Sequence, residues 1–236
     1  FGSGGRNQSA YLLETGGLKI LLDCGSAAVA SMKRLGIDTA RVDLVLLSHF
    51  HGDHVAGLPF LLHDYQHSTL RRSPLLVAGP RGVRRRVEAI YRTLFPSSVS
   101  RRRRYRVDYR VLEAGRLFRP PTAREARIVP FRVRHGTSSG SLGYVLEVLG
   151  RRLVYTGDTG WFGGLARAAR GADLFLCDCT HRKGTFPGHL SLADLEAHHR
   201  ELAARRILLT HLGPDFAGGS KARGFLLARD GMRIRV

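Results

Sequence analysis

Val42-Asp43-Leu44-Val45-Leu46-Leu47 is a short aliphatic run that leads directly into Ser48-His49-Phe50-His51-Gly52-Asp53-His54. A run this short and this rich in branched apolar side chains reads as a buried strand, so three histidines and an aspartate fall where the strand ends. Imidazoles two residues apart, His49 and His51, can converge on one cation from an extended turn, while Asp53 and His54 can turn toward a second. Neutral imidazole and carboxylate are the donors that suit zinc, manganese or ferrous iron. A polar loop of solvated histidines is the competing reading, and it accounts less well for four ligand-type residues within six positions. The rest of the chain has to be organised around that edge.

Composition bounds what surrounds it. With 236 residues, 43% hydrophobic and 24% charged, the chain is long enough for a substantial core and is expected to be soluble and globular. No apolar run approaches the roughly 20 residues that cross a bilayer, and no signal peptide is visible. The first residue is Phe1 rather than Met, so upstream residues are expected to be missing. Three cysteines without framework spacing argue against a disulfide scaffold and for a reducing, cytoplasmic setting. The formal charge of +19 invites a nucleic-acid reading. However, 34 of the 38 basic residues are arginine, a skew that coding bias produces without a ligand. The densest run, Arg101-Arg102-Arg103-Arg104-Tyr105-Arg106, is expected to be a solvated, mobile connection entering a strand.

Strands are predicted at 9–13, 18–22, 42–47, 74–78, 105–112, 126–134, 143–149, 152–155, 173–178 and 206–210, with a last one near 232–236. Glu14-Thr15-Gly16-Gly17 and Leu149-Gly150-Arg151-Arg152 read as hairpin turns. Helices are predicted at 27–35, 57–66, 81–94, 165–170 and 191–204; the second carries Leu58, Leu61, Leu62 and Tyr65 along one side. There is no internal repeat and no long linker, so a single domain over residues 1–236 is the simplest account, with a sheet-rich core covered by helices.

Three further polar residues follow strands. His135 comes after Phe131-Arg132-Val133-Arg134 and opens the turn Gly136 to Gly140, Asp158 lies in Tyr155-Thr156-Gly157-Asp158-Thr159-Gly160, and His211 follows Ile207-Leu208-Leu209-Thr210. Loops at one sheet edge let a rigid scaffold gather side chains remote in sequence. With the first cluster these make five histidines and two aspartates, about what a bimetal site needs.

His49-x-His51-x-Asp53-His54 matches the signature HxHxDH, and His135, Asp158 and His211 match the later ligand motifs in order. The chain therefore resembles the metallo-β-lactamase superfamily over essentially its whole length. The resemblance implies a four-layer αββα sandwich of two mixed sheets, with metals at one edge. It implies that His49, His51 and His135 hold one ion, that Asp53, His54 and His211 hold the other, and that Asp158 bridges. The ions it implies are two divalent cations, Zn2+ first, with Mn2+ or Fe2+ as alternatives. The first strand of relatives ends in a Leu-Gly-Ser/Thr-Gly pattern, of which only the aftermath, Phe1 to Asn7, is present, so a truncated start is expected. True β-lactamases place a cysteine among the ligands, whereas Cys24, Cys177 and Cys179 lie elsewhere and are expected to be buried as small hydrophobes.

Gly188-His189-Leu190-Ser191 resembles the Gly-His-Ser-Thr stretch of the ribonuclease Z-like branch and lies 22 residues before His211. Ser191 reads as a helix N-cap, and His189 is expected to act as a general acid or as a donor to a phosphoryl oxygen. His181 is left open, and His63, His67, His198 and His199 read as helix-surface residues. The tRNA-gripping arm of ribonuclease Z is an insertion between the third histidine and the bridging aspartate, but here only 22 residues separate His135 from Asp158. The resemblance therefore implies a compact, phosphodiesterase-like hydrolase that uses a dinuclear, metal-bridged hydroxide, with Asp53 holding or deprotonating the nucleophile. The expected partners are a small-molecule or nucleotide phosphodiester, RNA, and a second copy of the chain as a homodimer; no membrane is expected. The alternatives are an ester, thioester or lactone hydrolase, a ribonuclease Z-like RNA 3′-processing nuclease, a non-catalytic nucleic-acid binder, and a di-iron redox enzyme.

Overall fold

The computed structural model describes residues 3–98, 102–136, 140–217 and 222–236, which form two compact units: Asn7–Leu112, and Phe1–Arg6 with Glu113–Val236. Phe1, Gly2, Arg101 and the middle of the expected turn after His135, residues 137–139, lie outside the described residues.

The unit Asn7–Leu112 holds a five-stranded sheet in the order β1 (Tyr11–Thr15), β2 (Leu18–Leu22), β3 (Leu44–Leu46), β4 (Leu75–Gly79) and β5 (Val107–Val111). The first two strands form the expected hairpin, closed by Gly16 and Gly17, both at positive φ. The remaining pairs are parallel and need crossovers. Four helices lie in those connections: α1 (Ala28–Arg34), α2 (Gly52–Val55), α3 (Leu58–His67) and α4 (Val83–Leu94). The predicted stripe of α3, Leu58, Leu61, Leu62 and Tyr65, is fully buried, so the helical period is set by packing against the sheet. Arg71 is buried as well. Its guanidinium donates to the carbonyls of Ala40, Val42, Ser73 and Pro74 and lies over the Tyr65 ring, which fixes the approach to both β3 and β4.

The arginine run does lead into a strand, β5, but it is not a loose solvated connection. Arg103 is half-buried, makes a two-pronged ion pair with Glu88 of α4 and stacks over Tyr91. Gln66 of α3 ties down the backbone on both sides, donating to the Arg102 carbonyl and accepting from the Arg104 amide. Residues 102–104 are fastened there because the charge of Arg103 is neutralised at the helix surface.

The second unit holds a six-stranded sheet in the order β11-β10-β9-β8-β7-β6, built from β6 (Arg127–Arg132), β7 (Leu142–Val148), β8 (Arg151–Tyr155), β9 (Leu174–Asp178), β10 (Ile207–Thr210) and β11 (Leu226–Leu227). The β6–β7 and β7–β8 pairs are antiparallel and the rest parallel, so this sheet is mixed, as the first is. Its helices are α5 (Gly163–Ala169) and α6 (Leu192–Ala197).

Two expectations fail here. The helix expected to run to Ala204 stops at Ala197, because the following backbone turns to pair with another segment: Gly171 donates to the Ala203 carbonyl and Arg205 to that of Ala172. Residues 232–236 form no strand; the added edge strand is β11, which pairs with β10, while Met232 stays exposed. Elsewhere the predicted strands and helices lie within a few residues of the observed ones. No helix among the described residues is long and apolar enough to cross a membrane. Cys24, Cys177 and Cys179 are buried and unbridged, and burial pushes all three thiols well above their ordinary pKa.

The β7–β8 turn is formed by Leu149 (φ 49°) and Gly150 (φ 72°), a primed turn with a leucine in the left-handed region. That conformation costs an L-residue about 1–2 kcal/mol, and at 65% exposure Leu149 recovers little by packing. Replacing it with asparagine, which tolerates this region, is expected to stabilise the protein by about 0.5–1 kcal/mol and raise Tm by about 1–4 °C. Thermal unfolding followed by circular dichroism reads the shift, and an unchanged or lower Tm would show that the turn is not strained.

Candidate metal centre

In parallel neighbours the carboxyl ends point the same way, so residues that follow such strands share an edge. In the unit Asn7–Leu112, Asp23 follows β2, and Ser48 and His49 follow β3. The Asp23 amide donates to the Leu46 carbonyl, the Cys24 amide to that of His54, and the Gly57 amide to that of Cys24, which pins the strand end to α2. A Cβ on Gly57 would lie 2.0 Å from the Gly25 carbonyl oxygen, so only glycine permits this approach.

Asp23 is fully buried, and its carboxylate organises the cluster. One oxygen accepts from the Ser48 amide at 2.7 Å; the other accepts from the Ser48 hydroxyl at 2.7 Å and from His54 Nδ1 at 2.7 Å. Because the Ser48 hydroxyl spends its proton on Asp23, it accepts from His49 Nδ1 at 3.0 Å. Both rings thus commit Nδ1–H to the protein, which fixes the tautomer that carries its lone pair on Nε2. His49 lies 4.6 Å from His51 and 4.2 Å from His54, centroid to centroid. Donor atoms of His49 and His51 come within 4.8 Å of each other, as do those of Asp53 and His54.

The second unit repeats the device. Asp158 follows β8, Asp178 ends β9, and His211 follows β10. Asp178 is buried; one oxygen accepts from the Thr180 hydroxyl at 3.0 Å, the other from the Thr159 amide at 3.1 Å, the Leu190 amide at 3.3 Å and His189 Nδ1 at 3.1 Å. The Thr180 hydroxyl in turn accepts from His211 Nδ1 at 3.0 Å. His135 donates Nδ1–H to the Gly188 carbonyl at 2.9 Å. Gly188 has φ 81°, and a Cβ there would lie 2.8 Å from His135 Nδ1, so this carbonyl can be offered only by glycine.

With Nδ1 engaged, His135 and His211 both direct Nε2 toward Asp158, at 3.8 and 3.5 Å from the same carboxylate oxygen. Two donors each about 2.0–2.1 Å from a shared tetrahedral ion lie about 3.3 Å apart, so these separations fit donors arranged for a cation. Donor atoms of Asp158, Asp178, His189 and His211 also all lie within 4.8 Å of one another. Asp178, however, already accepts four hydrogen bonds, which makes it an anchor for its neighbours. Burial disfavours the His189 imidazolium, but the hydrogen bond and charge of Asp178, joined by the charge of Asp158, outweigh it and raise the His189 pKa. Ser191 caps α6 with a full capping box to Asp194, so His189 sits just outside a helix start, as expected.

Each unit thus assembles its own share of the expected residues: His49, His51, Asp53 and His54 in one, and His135, Asp158, His189 and His211 in the other. His181 stacks on Phe186 and faces Asp215. His63 stacks on Phe95, while His198 and His199 lie past the end of α6 against Trp161 and Phe225. Sequence reasoning missed Asp23, Ser48, Asp178 and Thr180 as orienting groups. The rule that singled out Asp158, a polar residue directly after a strand, also points to Asp23, whereas Asp178 is itself the last residue of β9.

Comparison with known proteins places this fold among described ones. Residues 19–212 match the family model described as a beta-lactamase superfamily domain. A ribonuclease Z of Metallosphaera sedula is 26% identical, over 92% of this chain and 86% of its own. Among solved structures, the short form of human tRNase Z superposes with a TM-score of 0.76 at 23% identity, over 95% of this chain and 91% of the other. A diphosphatase of the PhnP family gives 0.75 at 19% identity, over 97% of this chain and 84% of the other.

Replacing Asp23 with alanine leaves three buried donors, the Ser48 amide, the Ser48 hydroxyl and His54 Nδ1, without their acceptor. The expected loss of stability is about 3–5 kcal/mol, read by urea denaturation. A loss under about 1 kcal/mol would show that the three donors are satisfied in another way.

Proposed function

Because the chain belongs to the metallo-β-lactamase superfamily, whose fold its two mixed sheets with flanking helices adopt, we propose that it is a two-metal hydrolase of phosphodiesters. The observation that carries this reading is the set of imidazoles held by Nδ1, which leaves Nε2 as the donor, together with Asp158 offering one oxygen to both His135 and His211. In this assignment His49, His51 and His135 hold one ion, Asp53, His54 and His211 the other, and Asp158 serves both, with zinc as the first choice and manganese or ferrous iron as alternatives. One functional domain made of both units is part of the reading; its support is the family match, which runs through residues of each.

When bound, the two cations supply Lewis acidity, lowering the pKa of water toward neutrality and neutralising charge on the phosphoryl group. Asp53 holds the nucleophilic water or takes its proton. His189 donates a proton to the leaving oxygen, for which its raised pKa suits it. Asp178 and Thr180 hold the His189 ring in place and keep its charge compensated. The similar proteins include a ribonuclease Z and a diphosphatase, names that support phosphate chemistry and bring RNA forward within that class. The short β7–β8 hairpin fills the interval where a tRNA-gripping arm would lie, which favours a compact hydrolase over an arm-bearing nuclease.

Asp158→Ala and His54→Ala are each expected to abolish bound metal and the hydrolysis of bis(p-nitrophenyl) phosphate together, with metal measured by elemental analysis. His189→Ala is expected to retain metal while kcat falls about 10²–10⁴-fold. Full activity in metal-stripped protein would sink the reading, and a kcat/KM higher on a lactone than on the phosphodiester would redirect it to carboxylic esters.

A further inference from the structure

Between Arg81 and Arg106 the sequence has ten arginines and a single acidic residue, Glu88. Coding bias accounts for how many arginines there are, but not for how the fold arranges these. Helix α4 buries Val83, Val87 and Tyr91 and leaves Arg84, Arg85, Arg86 and Arg92 exposed. Glu88, one turn from both Arg84 and Arg92, is taken by the Arg103 fork and by the Tyr109 hydroxyl. Burial opposes its charge, but these partners and the charge of Arg92 hold its carboxyl below the usual range. The one acid in the stretch is therefore spent on fastening the arginine run to the helix. Arg102 and Arg104, on either side of Arg103, remain exposed on backbone that Gln66 holds in place. Arg84, Arg85, Arg86, Arg102 and Arg104 make no ion pair with any described residue.

We propose that α4 and the residues 102–104 fastened to it form a docking ridge for the phosphate backbone of an RNA. Twelve helical residues extend about 18 Å, long enough to face several consecutive phosphates of one strand. The planar guanidinium, with five donors, matches phosphate oxygens in pairs, as an ammonium does not. A lipid surface fits less well: a membrane-binding helix needs an apolar face to insert, and the apolar face of α4 is consumed by the core, leaving Leu94 at its end as its one large exposed apolar side chain. An acidic protein partner would find no buried aromatic anchor among these residues. The choice of RNA as the polymer rests on the phosphodiester reading above; the ridge itself rests on charge and geometry alone.

The test is equilibrium binding of the full chain to a fluorescent RNA hairpin across a potassium chloride series, with a DNA hairpin of the same sequence and phosphatidylserine vesicles in parallel. The variant replaces Arg84, Arg85, Arg102 and Arg104 with glutamine and keeps the Arg103–Glu88 pair. A control variant removes the same charge elsewhere, at the exposed Arg119, Arg124, Arg200 and Arg229. The ridge variant, with an unchanged circular dichroism spectrum, is expected to bind RNA about tenfold or more weakly. Its slope of log K against log salt is expected to be shallower by about three, while the control changes little. Equal losses in both variants would mean bulk charge rather than a ridge. Tighter binding to DNA or vesicles than to RNA, or no salt-dependent RNA binding at all, would also overturn the proposal. The readout is binding and not turnover, so a protein that fails to hydrolyse phosphodiesters leaves this result to stand or fall separately.

Discussion

A carboxylate buried without water is costly unless every lone pair is used, and the ligand-type histidines of each unit depend on one such carboxylate. Asp23 receives the Ser48 amide, the Ser48 hydroxyl and His54; Asp178 receives the Thr159 and Leu190 amides, the Thr180 hydroxyl and His189. Each passes its influence through a hydroxyl to a further imidazole, His49 through Ser48 and His211 through Thr180. The same chemical device thus appears once in each unit, at the carboxyl ends of parallel strands. It converts the flexible question of which ring nitrogen is protonated into a fixed answer. Backbone strain accompanies it: Asp23 (φ 54°) and His211 (φ 56°) both sit in the left-handed region that non-glycine residues avoid. Their side-chain bonds hold them there.

The fold was legible where local pattern and packing agree. The stripe of Leu58, Leu61, Leu62 and Tyr65 predicted α3 because one buried face imposes one period, and the aliphatic run before Ser48 predicted β3 for the same reason. It was illegible where backbone partners came from elsewhere. Nothing between Ala197 and Ala204 announces that residues 171 and 172 will claim its amide and carbonyl groups, and the two-residue β11 is too short to carry a pattern. The ligand-type residues were legible because His49, His51, Asp53 and His54 crowd into six positions directly after a strand and His135, Asp158 and His211 follow strands in the order of the same signature. Their anchors were not, because a lone aspartate, serine or threonine at a strand end usually serves only a turn.

Charge gave the least reliable sequence signal. A block of arginines read as mobile because like charges repel, yet a single glutamate on the neighbouring helix fastens Arg103. That pairing becomes visible only once α4 and the approach to β5 are side by side, since 15 residues separate Glu88 from Arg103.

The bonds that orient the first imidazoles also close early along the chain. His54 reaches back 31 residues to Asp23, and His49 only one to Ser48. His135 instead waits for Gly188, 53 residues later. On a ribosome adding about 5–20 residues per second, everything that sets the first histidine pair has been synthesised about 5–20 seconds before Asp158 is added. The nascent chain therefore holds the means to orient His49 and His54 before Asp158 exists, and vectorial synthesis gives the two orienting networks an order of maturation that the finished molecule no longer displays.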